Sequence, residues 1–394
     1  MTSSRRGGPL LLLIAALVVP GAARAYPWMI RHGYSGCGVC HVDPSGAGLL
    51  TDYGRAQSEL LMATRWSGEK AEEASPSADF GFGLFKLPEW LFLGVSYRGG
   101  ELVTEANGLY DTRWITMLLD LRAGLRIGRF RASGSIGWLP TAGQGISITS
   151  KDANNIVMRE LWAGWELGEE AGLVRIGRFA LPFGLRNIEH TSWVRSVTRT
   201  DINVNQQYGL GLQLGSDKLR GEIMAIAGNY QISPEQYREK GVSGYVEAMV
   251  APSVAVGLSG LVTRAQIGLG GAVPVLRQAY GGFLRAGLLP SLGILAEADV
   301  VLSQGLGSGV LQTSSVTWTQ LDWEPIQGFH VMPAFETWKQ YGDIGGVATG
   351  EWLTLDWFPW SHLELRIDVF ARQQPQSSGT TSSFGALFQL HVLL

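Results

Sequence analysis

An apolar residue at every second position is the feature that most constrains how this chain folds. In residues 120–138, DLRAGLRIGRFRASGSIGW, leucines and isoleucines fall on one face, whereas Arg122 and Arg126 fall on the other. Because successive side chains of a strand project to opposite faces, this period of two predicts β-strands. The same alternation returns in residues 361–373 and 382–394. A helical period does not produce such segments.

The alternating segments number sixteen, with fourteen or eighteen as open alternatives. Short turns and longer polar loops follow one another between them. An even number of antiparallel strands with short turns at one rim and long loops at the other is typical of bacterial outer-membrane barrels. The predicted strands are residues 90–99, 111–127, 129–139, 155–168, 171–180, 206–216, 218–228, 241–251, 253–264, 275–287, 290–301, 313–324, 328–338, 348–358, 361–373 and 382–394.

Composition agrees with a barrel in lipid. Charged residues make up 16% of the chain, below the roughly 25% of soluble domains. A sheet edge finds no water in a bilayer, so the sheet has to close. A soluble β-sandwich or lectin shows the same alternation, but the joint lengths and the polar inward faces favour the barrel. The residues expected to face its lumen include Arg122, Arg126, Arg131, Glu364, Arg366 and Asp368.

The first 25 residues have the pattern of a secretory signal peptide. Two arginines precede an apolar stretch, and Ala-Arg-Ala at 23–25 forms a cleavage site. A membrane anchor is the alternative, although the stretch is short for a span. Removal of this segment leaves 28 basic against 34 acidic residues, which gives no indication of nucleic-acid binding. We therefore predict export, and a location in the outer membrane of a Gram-negative bacterium.

Residues 26–67 do not alternate, and we predict a small helical module there, with a helix over residues 49–66. A polar linker, residues 68–79, connects it to the barrel, residues 80–394. So short a module is too small for a good core of its own. It therefore needs a cofactor or an enclosing wall.

The module contains CGVCH, residues 37–41, with both cysteines of the chain. Cys-x-x-Cys-His is the attachment signal for c-type haem. Cys37 and Cys40 are expected to form thioether links, and His41 to ligate the iron as proximal ligand. The cofactor prediction is one covalent haem c. A redox-active disulfide and a zinc site are the alternatives, although zinc lacks an evident fourth ligand.

The distal iron ligand is left open by the sequence, and an open or water-filled site is one alternative. The candidates are Met29, His32, Met62 and His190, with His330 and His362 as further histidines near the short turns. A methionine raises the reduction potential relative to a second histidine. The third long loop, residues 181–205, either folds into the lumen, as in general porins, or stays at the surface. GRFALPFGL at its start resembles a stretch of anion-selective porins.

A signal peptide, one CxxCH motif, a short helical module and a barrel over the remainder resemble the fused monohaem cytochrome–porins of iron-oxidising bacteria. The resemblance implies that the haem module lies in or at the barrel lumen. It also implies electron transfer from extracellular ferrous iron to a periplasmic c-type cytochrome. The resemblance covers the architecture from end to end, but only Cys37, Cys40 and His41 match as a motif.

The sequence thus predicts an all-β protein, a transmembrane antiparallel β-barrel of about 16 strands with a c-type haem module in its lumen. The expected function is an electron conduit between an extracellular metal ion or other redox substrate and a soluble periplasmic carrier. Whether it is an enzyme, an iron:cytochrome c oxidoreductase, is left open. The alternatives are a diffusion porin with a haem-bearing plug or gate, and a structural or adhesion barrel.

Overall fold

A computed structural model provides the structure of the protein. It describes residues 27–34, 36–46, 48–66, 72–140, 146–148, 155–168, 172–186, 189, 191–231, 238–266, 273–342 and 346–394. The predicted signal peptide, residues 1–25, lies outside the described residues and stays a prediction. So does the start of the predicted linker.

The described strands form one closed antiparallel sheet. Each strand pairs with its neighbours in the chain, and β1 also pairs with β17, which closes the sheet into a barrel. Both β4 and β5 pair with β3 as two segments of one interrupted strand. The barrel therefore has sixteen strands, as predicted. The segments are β1 Leu91–Ala106, β2 Leu109–Ile127, β3 Phe130–Leu139, β4 Asn155–Val157, β5 Leu161–Leu167, β6 Gly172–Phe179, β7 Gln207–Gly215, β8 Leu219–Gly228, β9 Lys240–Ala251, β10 Val254–Ala265, β11 Val275–Leu289, β12 Leu292–Gly305, β13 Leu311–Ile326, β14 Phe329–Lys339, β15 Ala348–Trp360, β16 Leu363–Gln376 and β17 Gly379–Leu393.

The barrel wall is apolar outside and polar inside. On β10, Leu258 is 66% exposed, whereas Thr263, at a position of opposite parity, is buried. On β16, Leu365 is partly exposed, and its neighbours Glu364 and Arg366 are buried. Exposed apolar and buried charged side chains on one strand suit a wall between lipid and a polar lumen. This inversion excludes the soluble β-sandwich, whose apolar face would be buried.

Two predicted loops are strands in the structure. Residues 100–110 and 374–381 were expected to be long loops, but β1 and β2 run on to a tight hairpin at Asn107 and Gly108. Both hairpin residues have positive φ, 54° and 79°. Asn-Gly favours that conformation because a two-residue hairpin turn of type I′ requires it at both positions. The wall therefore extends past the apolar band at this end.

The N-terminal segment, residues 27–66, which we call the plug, lies inside the barrel. It contains a 3-10 helix, Pro27–His32, and a helix α1, Asp52–Gln57, that continues as a π-helical turn, Ser58–Met62. The predicted helix over 49–66 is thus present but shorter. Among the described residues, no helix is both long and apolar enough to cross a membrane.

The plug is fixed to the rim of short turns, which is the periplasmic rim in barrels of this kind. The side chain of Gln327 donates hydrogen bonds to the carbonyls of Leu60 and Ala63, at 3.1 and 2.8 Å. Nearby, the Trp357 ring nitrogen donates to Thr64 Oγ1 at 2.9 Å. Farther inside, plug residue Leu49 packs on Phe92 of the wall. The barrel thus supplies the enclosing wall that the short module lacks.

Candidate functional site

The CxxCH motif forms one tight turn in the plug. The backbone N–H groups of Cys40 and His41 both donate to the carbonyl of Cys37, at 3.2 and 3.0 Å. Both cysteines are free thiols. The turn therefore carries both thiols and the imidazole within five residues. This is the arrangement that covalent haem attachment needs.

The start of α1 holds this turn in place. Thr51 caps the helix by accepting a hydrogen bond from Gly54 N at 3.1 Å. The same residue donates through Oγ1 to the carbonyl of Val39 at 2.6 Å and through its N–H to Cys40 at 2.9 Å. A Cβ added at Gly54 would meet the backbone of Cys40. Helix and motif are therefore in direct backbone contact.

His41 is buried and uncharged near neutral pH. Burial lowers the pKa of its imidazole to about 4; the charge of Asp43 raises this pKa, and that of Arg122 lowers it. Metal ligation by histidine requires the neutral ring. His41 is therefore in the protonation state that iron ligation needs.

A large cavity lies beside His41, between the plug and the barrel wall. Its atom-free volume is about 1560 Å³, open solvent included. The plug side is formed by His41, Gly46 and Gly48, and the far side by residues 202–204 of the third long loop. Residues 115–118 of β2, beyond the centre of that strand toward the long-loop rim, also border it. The cavity thus lies on the side of the plug that faces the outer loops.

The Cys37 sulfur borders a second, smaller space of about 280 Å³, with Arg186, Arg220, Tyr245 and Arg285. Gly46 lies between the two spaces, because it borders the cavity of His41 and a Cβ added to it would lie 2.8 Å from Cys37 Sγ. Its positive φ, 89°, also favours glycine.

The donor set fits a c-type haem. Two thiols and a neutral imidazole share one turn, and the imidazole borders a cavity between the plug and the barrel wall. The zinc alternative gains no support from the described part of the chain, where no group of three or more His, Cys, Asp or Glu side chains is placed to bind a metal ion.

Asp43 ties the loop after the motif to the wall. Its carboxylate accepts hydrogen bonds from Arg175 of β6 at 2.6 Å and from the backbone of Ser45 at 2.7 Å. Burial alone would raise the pKa of Asp43, but Arg175 and Ser45 outweigh it and hold the pKa below its ordinary value. Arg175 also binds Glu222 at 2.5 Å. The loop is therefore ion-paired to the wall.

Three of the predicted distal candidates lie outside the lining of the His41 cavity. Met29 and Met62 are buried in an apolar cluster that also contains Trp28, Tyr34 and Leu185. None of the described residues bordering the His41 cavity is Met29, His32 or Met62. His190 lies outside the described residues.

The other predicted histidines occupy polar positions at the short-turn rim. His32 Nε2 lies 3.8 Å from Glu324, and His330 Nδ1 lies 2.8 Å from Asp322. His362 contacts the carbonyl of Ser77 at 2.6 Å. These contacts give His32 and His362 partners in the protein, whereas Nε2 of His330 is buried and has no hydrogen-bond partner among the described residues.

Sequence reasoning missed His391, which borders the same cavity as His41. Its Nδ1 lies 2.6 Å from Glu364 and 2.9 Å from Arg98, and its Nε2 lies 2.8 Å from Ser96. Strand parity already put His391 on the lumen side of β17. Because His391 is far from the motif along the chain, the sequence did not indicate that it borders the same cavity as His41.

The predicted lumen residues Arg122, Arg131, Glu364, Arg366 and Asp368 lie in buried or half-buried ion pairs. Arg122 binds Asp120 and Glu160, at 3.1 and 3.2 Å. Arg366 binds Asp368 at 2.8 Å. Glu364 contacts Arg98 and His391, and Arg131 contacts Glu166. Arg126 is exposed near the short-turn rim.

The third long loop, residues 181–205, folds into the lumen. Its helix α2, Trp193–Thr198, packs against β12, β13 and β14. Arg195 forms a fully buried ion pair with Glu297, and the N–H of Trp193 donates to Glu336 at 2.7 Å. Of the two predicted placements, the inward one is the one observed. Plug and loop together fill much of the bore.

A closed sixteen-strand barrel with short turns at one rim and an inward third loop is the architecture of a porin-like outer-membrane protein. Solved structures of that class resemble the chain. One is a loop L8 deletion mutant of OmpT, an outer membrane protein of Vibrio cholerae. It has a TM-score of 0.60 and 9% identity, and the match covers 77% of this chain and 99% of that one.

Two further porin structures are similar. An anion-selective porin from Comamonas acidovorans has a TM-score of 0.56 and 10% identity, over 77% of this chain and 99% of that one. The outer membrane channel DcaP of Acinetobacter baumannii has a TM-score of 0.55 and 12% identity, and the match covers 79% of this chain and 99% of that one. No protein-family model and no curated protein matches the chain. At these identities the similarity concerns the fold.

Proposed function

We propose that the protein is an outer-membrane electron conduit with one covalent haem c. Cys37 and Cys40 form the thioether links, and His41 is the proximal iron ligand. The conduit carries electrons between an extracellular donor or acceptor and a periplasmic c-type cytochrome. The observation that carries this proposal is the position of the Cys37–His41 turn inside the closed barrel, next to a large cavity on its outer side.

When bound, the haem supplies a site for reversible one-electron transfer. The residues of the chain position and shield this site. Thr51 fixes the motif turn through two hydrogen bonds, to the carbonyls of Val39 and Cys40, and caps α1 through a third. Asp43, paired with Arg175, ties the following loop to β6. The barrel wall excludes lipid from the motif.

The filled lumen favours a conduit over an open channel. At the short-turn rim, Arg31 of the plug forms buried ion pairs with Asp322 and Glu324 of β13. Toward the opposite rim, the Arg195–Glu297 pair holds the third long loop inside. Solutes would have to displace buried ion pairs to pass, whereas an electron does not need an open path.

The second candidate is a diffusion porin in which the plug acts as a haem-bearing gate. The likeness to porin channels favours this candidate. Release of the plug or of the third loop would open a bore that sixteen strands make wide enough for water and solutes.

Reconstitution in liposomes tests both candidates. Vesicles with the purified protein enclose oxidised cytochrome c, and ferrous iron is added outside. The conduit predicts a haem absorbance band, reduction of the enclosed cytochrome, and little permeation of small sugars. A Cys37→Ala/Cys40→Ala variant is the matched control, because it keeps the barrel and loses both thioether sites.

The outcomes separate the candidates. A colourless wild-type protein contradicts both haem-based functions. A haem protein that admits sugars freely and leaves the enclosed cytochrome oxidised is the gated porin. If another reductant reduces the enclosed cytochrome and ferrous iron does not, the protein is an electron conduit but not an iron:cytochrome c oxidoreductase.

A further inference from the structure

We propose that Arg98 and Arg122, on the wall of the His41 cavity, bind the two propionate carboxylates of the haem. This inference rests on the proposed function, since it assigns residues to the cofactor proposed there. Both arginines border the same cavity as His41. Arg98 lies on β1 and Arg122 on β2, strands that are neighbours in the sheet.

The two guanidinium groups have unused donors. Nε of Arg98 and Nε of Arg122 are buried and have no hydrogen-bond partner among the described residues. A buried donor without an acceptor costs about 1–3 kcal/mol, and such groups are rare in native proteins. Two unsatisfied N–H groups beside one cavity therefore indicate a ligand with acceptor oxygens.

Other nitrogens of both side chains are held by the wall, namely Nη2 of Arg98 and both Nη atoms of Arg122. Arg98 binds Glu364 at 3.0 Å and His391 at 2.9 Å. Arg122 binds Asp120 and Glu160. These contacts hold each guanidinium in place and leave Nε as the free donor. Such a preorganised donor suits a carboxylate, the anion whose geometry best matches the guanidinium fork.

The chemistry of haem attachment indicates which side of the site the propionates would face. Thioether links bind the vinyl groups of the ring to Cys37 and Cys40, and the propionates project from the other side of the ring. Arg186, Arg220 and Arg285 border the space at the Cys37 sulfur, so they face the thioether side. The propionates would therefore lie on the side of the larger cavity, where Arg98 and Arg122 are their available partners.

Arg122 reaches over the plug toward His41. Its guanidinium occupies the place that a Cβ on Gly48 would take, and Gly48 has a positive φ of 75°. Unsatisfied Nε groups also occur at Arg175 and Arg195, but these residues do not border the cavity. The combination of an unused donor and the His41 cavity thus belongs to Arg98 and Arg122 among the described residues.

The test compares Arg98→Gln and Arg122→Gln in the haem-loaded protein. Arg277→Gln is the matched control, because Arg277 is a buried lumen arginine, paired with Glu239 at 2.7 Å, that does not border the cavity. Resonance Raman spectra give the propionate bending band, and spectroelectrochemistry gives the reduction potential. Covalent haem, measured by intact mass, is expected in all variants.

Each cavity variant is expected to shift the propionate band. Loss of a positive charge also favours the ferric state, with a fall of about tenfold in the equilibrium constant for reduction, or about 59 mV. The control keeps the wild-type band and potential. Arg98→Lys, which retains the charge, keeps the potential but shifts the band.

A propionate band that is the same in the wild-type protein, both cavity variants and the control overturns the inference, although the haem and the conduit stand. A wild-type protein without haem overturns the proposed function itself. If the glutamine variants fail to fold, a cryo-EM map of the wild-type holoprotein decides. Propionates in contact with Arg98 and Arg122 support the inference. Propionates elsewhere, with or without a free anion in the cavity, overturn it.

Discussion

Arg175 of strand β6 donates a hydrogen bond to Asp43 of the plug at 2.6 Å, across 132 positions of sequence. The guanidinium also binds Glu222 of β8 and lies 4.0 Å from the centre of the Phe179 ring. One fully buried arginine therefore joins two strands of the wall to the loop that follows the CxxCH motif. The position of the motif in the lumen depends on this contact.

Asp43→Asn is expected to weaken the attachment of the plug, because it removes a buried charge opposite Arg175. We expect a loss of about 1–3 kcal/mol in the free energy of unfolding. Urea titration in lipid vesicles, followed by tryptophan fluorescence, measures the loss. Asp52→Asn, at an exposed plug position, is the control, with a change within about 0.5 kcal/mol. Equal effects of the two substitutions would contradict the role given to Asp43.

Glu297→Gln is expected to loosen the third long loop. Glu297 accepts from Arg195 and, at 3.1 Å, from the backbone of Leu185, so its charge holds two points of the loop. We predict a severalfold faster swelling of liposomes in small sugars. Glu351→Gln, exposed on β15, serves as the control and should swell like the wild type. An unchanged rate for Glu297→Gln would mean that the plug alone closes the bore.

Met29 is expected to act in packing and not as the distal ligand. Its side chain is 1% exposed within the cluster of Trp28, Tyr34 and Met62. Met29→Ala should cost about 2–5 kcal/mol, and Met29→Leu less than about 1.5 kcal/mol. Met29→Leu should leave the reduction potential of the haem unchanged. A fall in that potential would instead identify Met29 as the axial ligand, because methionine ligation raises it.

Leu258→Arg tests the lipid face of the barrel. The Leu258 side chain is 66% exposed on β10, on the apolar outer surface. An arginine near the bilayer centre costs about 2–4 kcal/mol, and one near the interface about 0–1 kcal/mol. Leu109→Arg, at the tip of the β1–β2 hairpin and 77% exposed, is the matched control. The free energy of unfolding in vesicles should fall more for Leu258→Arg than for Leu109→Arg. Equal losses for the two variants would place Leu258 outside the apolar band.

The barrel was predictable because its signal is local. Alternation between lipid and lumen acts on neighbouring residues, so segments such as 361–373 reveal it directly. The β1–β2 hairpin was missed because polar residues at 100–110 suggested a loop. The dipeptide Asn107-Gly108, a strong hairpin signal, was the better guide.

The site was predictable only in part. The haem chemistry proposed for Cys37, Cys40 and His41 rests on their spacing, but their surroundings depend on contacts between distant segments. The Asp43–Arg175 pair and the shared cavity of His41 and His391 arise from how the plug sits in the closed wall. The periodicity of the sequence does not indicate how a short segment is oriented inside the barrel. The partners of Asp43 and His41 are therefore found only from the three-dimensional structure.

The pairing of β1 with β17 has a consequence for biogenesis. Strand β17 completes the wall beside β1, with Ser96 opposite Leu393. The plug precedes the whole wall in the chain, yet it ends up surrounded by the wall. On the proposed function, a maturation enzyme needs access to residues 37–41, so haem attachment would have to be finished while the polypeptide is still an unsealed periplasmic intermediate.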